Sequence, residues 1–110
     1  MPRFSLTEAA KSDLKNIARF TQKRWGREQR NHYLKTLDDC FHQLSKNPNM
    51  GKVCGEIRPG YYKFPAGSHV VYYRSKLNKY IEIVRVLHEN MDVNTQFLKE
   101  SGEATEQRFL

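Results

Sequence analysis

Arg58, Lys63, Arg74, Arg85 and His88 fall on or beside short runs rich in Val, Ile and Tyr, and this is where the chain could do chemistry. Cations on neighbouring strands can converge at one end of a sheet and hold a phosphate, and a nuclease needs such cations together with a general acid or base. Arginine stays protonated at every working pH, so the proton would have to move through His88, Glu89 or His69. The same residues have a purely structural reading. Arg74 and Arg85 then pair with Glu82, Glu56 or Asp92 as structural ions and His88 closes its strand, an arrangement common without any catalysis and the one we favour.

A second charged set is helical. Lys11, Lys15, Arg19 and Lys23 recur every four residues, and Arg24, Arg27 and Arg30 continue the charge, with Asp13 and Glu28 interrupting it. Such a ridge can track phosphates or meet an acidic protein, or it is simply a solvated helix face. The histidines at positions 32, 42, 69 and 88 and the cysteines Cys40 and Cys54 show no metal-ligand spacing, so no metal and no cofactor is expected. Glycine-rich phosphate loops and nucleophile elbows are absent from the sequence. Tyr61, Tyr62, Tyr72 and Tyr73 could stack on bases, although aromatics on strands are more often core.

The elements that must position these residues centre on Ile57 to Asp92, where β-branched residues are densest. His69 to Arg74 and Tyr80 to His88 read as strands joined through Ser75 to Lys79, hence antiparallel neighbours. Tyr61 to Phe64, between Pro59-Gly60 and Pro65-Ala66-Gly67, makes the third strand of a meander. On the last strand one face reads Ile81, Ile83, Arg85, Leu87 and the other Glu82, Val84, Val86, His88. Both are mostly apolar, which predicts an interior strand and makes Arg85 an anomaly that must find a partner or an opening.

Upstream, Arg3 to Leu6 alternates as a first strand. Thr7 offers an N-cap to a helix whose apolar face is Ala10, Leu14, Ile17, Thr21 and Trp25, stopped by Gly26. A second helix carries Tyr33, Leu37, Cys40, Phe41 and Leu44 and ends at Asn47-Pro48. Asn49 to Glu56 reads as a loop, and Val93 to Lys99 as a short helix capped by Asp92. The order is β-α-α-β-β-β with a short C-terminal extension. The predicted class is α+β, a helical hairpin packed on an antiparallel sheet, with residues 1–100 as one domain and 101–110 as a flexible tail.

With 110 residues there is room for one core, burying roughly 65% of the unfolded surface. Lys and Arg number 19 against 12 Asp and Glu, a formal charge of +7, which favours anionic partners without choosing among them. Two cysteines without CxxC spacing and a start lacking an apolar run point to the cytoplasm and reduced thiols, and no run is long enough to span a membrane.

The element order, the RPGYYKFPAGSHVVYYR stretch and above all EIVRVLHENMD resemble the ParE branch of the ParE/RelE superfamily, toxins of type II toxin-antitoxin pairs. Trp25-Gly26, the L-x-x-N-P from Leu44 to Pro48, the H-V-V-Y-Y-R strand and the R-V-L-H-x-x-M-D ending recur together within about Phe4 to Leu98. The resemblance implies a RelE-like fold and a growth-inhibiting cytoplasmic protein, serving plasmid or chromosome maintenance, that binds DNA gyrase and stops replication. A ParD-like antitoxin from the same operon would hold it inactive. Catalytic residues are then not expected. The RelE branch instead cleaves messenger RNA on the ribosome, and in that alternative Arg58, Arg74, Arg85 and His88 would be the working set and the chain would bind nucleic acid directly. For the ParE reading we expect the antitoxin on Lys11, Lys15, Arg19, Lys23, Arg85 and Met91, and the target on Arg58, Lys63, Arg74, His88 and Glu89.

Overall fold

The computed structural model describes residues 4–77, 80–91 and 96–97. The expected tail at 101–110 lies outside them, as do most of the Val93 to Lys99 segment and the end of the Ser75 to Lys79 loop; within that segment Gln96 and Phe97 are helical.

Helix α1 (Glu8–Trp25) starts where Thr7 adopts an extended backbone and its Oγ1 accepts the Ala10 N–H at 3.0 Å. Glu8 in the first turn and Lys23 and Arg24 in the last complement the helix dipole. Gly26 then ends one helix and opens the next. Its N–H donates to Gln22 O at 2.9 Å and its carbonyl accepts from Arg30 N at 3.0 Å, at φ 97°, a conformation in which a Cβ would be strained. Helix α2 (Arg27–Lys46) follows, and Asn47 leads into a single 3-10 turn, Pro48–Met50.

The sheet has five strands in the order β1-β5-β4-β3-β2: β1 (Phe4–Leu6), β2 (Lys52–Val53), β3 (Tyr61–Ala66), β4 (His69–Lys76) and β5 (Tyr80–His88). The antiparallel meander β3-β4-β5 is as predicted, and the fold is α+β. Two features refine the prediction. β1 lies parallel to β5, which the long crossover through the two helices permits, so the sheet is mixed. β2, in the stretch read as a loop, pairs antiparallel with β3, setting Lys52 opposite Lys63. β3 also runs through Pro65 to Ala66, and the chain turns at Gly67-Ser68 instead.

Leu37, Phe41, Leu44 and Ile17 pack on Val71, Tyr73, Ile81, Ile83 and Val86 as the main core. A smaller cluster of Cys54, Tyr72, Val84, Leu87 and Phe97 covers the other sheet face. The division of β5 into two faces read from the sequence does not hold beyond Ile83, because the register shifts between Tyr72/Arg85 and Tyr73/Ile83, leaving Val84 as an extra residue. That bulge turns Val86 to the helices with Ile81 and Ile83, while Val84 and Leu87 share the opposite cluster. Trp25 is likewise corrected: it is not core but 64% exposed, because the last turn of α1 overhangs the sheet.

β1 stops at Leu6, so the outer edge of β5 loses its strand neighbour beyond Ile83. Side chains from α1 and its cap take over. Thr7 N donates to Ile83 O at 3.1 Å, Thr7 Oγ1 donates to Val84 O at 2.8 Å, and the Val86 N–H donates to Asp13 Oδ2 at 2.9 Å. Backbone groups at a buried sheet edge need such partners, and these three bonds fix how α1 sits against β5.

Candidate partner-binding groove

The end of β1 at Leu6 also leaves an opening beside β5. A cavity of about 520 Å³ lies between α1, the start of α2, the β3–β4 turn and the end of β5. Ile17, Phe20, Trp25 and Met91 give it apolar walls, and Tyr33, His69 and His88 line it as well. Phe20 and Met91 are 62% and 46% exposed, and together with Trp25 they form an apolar surface of the kind that marks an interaction site. Asp13, Asn16 and Phe20 follow one another at helical spacing as a second stripe, beside the core stripe of Ala10, Leu14 and Ile17.

Polar groups in the groove are held in place. Ser68 N–H donates to the Tyr33 oxygen at 3.0 Å, and the Tyr33 hydroxyl meets His69 Nδ1 at 2.6 Å. The Tyr33 hydroxyl also lies 3.4 Å from the Ala66 carbonyl, to which it can donate, so the direction of its bond with His69 follows the imidazole tautomer. Asn90 N–H donates to His88 Nδ1 at 3.1 Å, and the two imidazoles sit edge to face with centroids 5.4 Å apart. Burial, and secondarily the neighbouring His88, lower the pKa of His69 from its ordinary value, while Asp13 and Glu89 act the other way. Burial raises the Tyr33 pKa, so the phenol stays a donor.

Arg85 answers the anomaly seen in the sequence. Its Nε and Nη2 each lie 2.8 Å from an oxygen of Asp13, and the two side chains are only 12% and 11% exposed. This acid is on α1; of those expected from the sequence, Asp92 lies outside the described residues. Arg74 does pair with Glu82, at 2.8 Å, as the structural reading proposed. Arg58 Nη2 donates to the Phe97 carbonyl at 3.1 Å.

The site sets named from sequence are thus divided in space. Met91 lines the groove, and Lys11, Lys15, Arg19 and Lys23 are exposed along α1, with Lys11 3.3 Å from Glu8 and Arg19 bonded to Asn16. Lys63 shares its sheet face with Tyr61, opposite the helices, as Arg74 does, whereas His88 opens into the groove and Glu89 is exposed. Arg58, Arg74, Arg85 and His88 do not meet at one point: two are on the far face, one is bound to Asp13, and one lines the groove. The sequence reading missed Phe20 and Tyr33 as groove residues; only Phe20, an aromatic on the polar side of a helix, carried a signal. The thiols play no part in the groove: Cys40 is pushed up to about 11 by burial, and burial raises Cys54 as well. Among the described residues there is no cluster of metal-ligating side chains, and no helix is long and apolar enough to cross a membrane.

Fold and groove define the class, a small basic α+β domain with an open apolar seat on its helical side. Comparison with known proteins gives the family. Residues 4–93 match the model of the ParE toxin of type II toxin-antitoxin system, parDE. Toxin ParE1 of Mycobacterium tuberculosis is 44% identical over 84% of this chain and 94% of its own length. Toxin ParE1 of Caulobacter vibrioides is 37% identical over the same shares. A chain of the chromosomal ParDE TA system from P. aeruginosa superposes with a TM-score of 0.68 at 21% identity, covering 80% of this chain and 96% of that one. The chain belongs to the ParE toxin family of type II toxin-antitoxin systems.

Proposed function

We infer that this toxin acts by binding DNA gyrase and blocking replication, and that a ParD-like antitoxin neutralises it by seating a segment in the α1/β5 groove. The observation that supports a binding protein is the groove itself: Phe20, Trp25 and Met91 stand exposed around a cavity of about 520 Å³. An apolar segment placed there would bury those side chains, and each large one fully removed from water contributes roughly 1.5–3 kcal/mol. The cations of α1 beside it give an acidic antitoxin a complementary field. The separation of Arg58, Arg74, Arg85 and His88 weighs against the ribosome-dependent nuclease, because general acid-base catalysis needs its groups within hydrogen-bond reach of one substrate.

Expression without antitoxin tests the reading in cells. Filamentation with a DNA-damage response, and unchanged ends on ribosome-bound messages, is the expected result. Codon-specific cuts abolished by His88→Ala would replace it with the nuclease reading.

A further inference from the structure

Pairing of β2 with β3 places Lys52 directly opposite Lys63. Like charges facing across a ladder are destabilising. Lys63 lies on the face away from the helices, since its neighbours Tyr62 and Phe64 pack on the helical core while Tyr61 joins the opposite cluster. Lys52 shares that face as its cross-strand partner. Arg58 is held there too, its guanidinium bonded to the neutral Phe97 carbonyl, and among the described residues it has no ion-pair partner. Arg74 is on the same face but is neutralised by Glu82. Among the described residues neither lysine has an ion-pair partner; Glu56 is the acid on the adjoining loop, and it is exposed.

A lysine on an edge strand also keeps the edge from pairing with other chains. That accounts for Lys52 alone. It leaves unexplained why β3 presents a second lysine to it and why Arg58 is braced nearby.

We propose that Lys52, Lys63 and Arg58 form a seat for the phosphate backbone of a nucleic acid, with the half-buried Tyr61 at its rim. The occupant follows from what the face offers. Tyr61 and Tyr72 already pack on Phe97, with centroids 5.8 and 5.3 Å away, so little apolar surface remains to anchor a peptide. An acidic peptide would gain only exposed ion pairs, about 0–1 kcal/mol each. A polyphosphate gains more from the same cations, because each neutralised phosphate releases condensed counterions. None of Lys52, Arg58 and Lys63 lines the apolar groove, so this seat and the antitoxin seat use different surfaces. The proposal does not depend on gyrase being the target, since it concerns contact with free nucleic acid.

Fluorescence anisotropy of the full-length toxin with a labelled DNA duplex and with a labelled single-stranded RNA tests it across a salt series. Lys52→Gln/Lys63→Gln should lower the affinity about tenfold at low salt and reduce the salt slope by about 1.8 on duplex DNA, or about 1.4 on a single strand. The probe that shows this identifies which nucleic acid is the source of the phosphates. The same variant should melt no lower than the wild type, because it relieves a like-charge pair. Equal loss in a Lys11→Gln/Lys15→Gln control would mean that only net charge is being read, and would overturn the proposal. So would absence of binding to both probes, or tighter binding to polyglutamate than to either nucleic acid.

Discussion

Asp13 grips Arg85 with both carboxylate oxygens at 2.8 Å, and its Oδ2 also receives the Val86 N–H at 2.9 Å. One side chain of α1 thus replaces a missing strand at the β5 edge and neutralises a charge lodged beside the core. Removing one member of a well-buried pair typically costs about 3–5 kcal/mol. Asp13→Ala should lie in or near that range by urea titration and exceed Arg85→Ala, because it also orphans the Val86 N–H. A loss under about 1 kcal/mol would show that α1 does not depend on this anchor.

His69 should make stability fall on acidification. Its folded pKa is lowered from 6.5, by burial first and His88 second. The unfolded chain therefore binds the proton more readily. The contribution is fully present above pH 6.5 and is lost as pH falls from there through the folded pKa. Urea midpoints of the wild type should decline in that window, and His69→Gln should flatten the decline. An equal slope in the variant would assign the pH dependence to other groups.

Surface charge and groove should separate kinetically. Changing Lys11, Lys15, Arg19 and Lys23 to Gln should slow association with a ParD-like antitoxin about tenfold at low salt, with dissociation little changed. Trp25→Ala and Phe20→Ala should instead speed dissociation, as truncating a buried aromatic anchor costs about 2 kcal/mol or more. Surface plasmon resonance reads both. Unaltered association in the charge variant would leave the α1 ridge a solvated face, and unaltered dissociation in the groove variants would move the antitoxin elsewhere.

What the sequence disclosed follows the range of its signals. Ala10, Ile17, Leu37, Phe41 and Leu44 repeat at helical spacing, and Val71, Tyr73, Ile81 and Ile83 sit in strand-forming runs, so the layers could be read locally. β2 contributes only Lys52–Val53, too short to show any period. The bulge at Val84 moves later residues of β5 to the other face without changing composition, so Val86 was placed with the wrong neighbours. Arg85 was visibly anomalous, yet its partner lies 72 positions away, where Asp13 looked like an interruption in a basic ridge. Trp25 fitted the helical stripe and is exposed only because α1 outruns the sheet. The groove depends on that overhang and on where β1 stops, and both are properties of the assembled fold.

Gyrase inhibition is tested most directly with purified components. Toxin added to DNA gyrase, ATP and relaxed plasmid should reduce supercoiling and, after protein digestion, leave linear DNA from trapped cleavage complexes. Premixing with a ParD-like antitoxin should abolish both effects. Unimpaired supercoiling with no linear product, at toxin concentrations that cleave messenger RNA on purified ribosomes, would contradict the account.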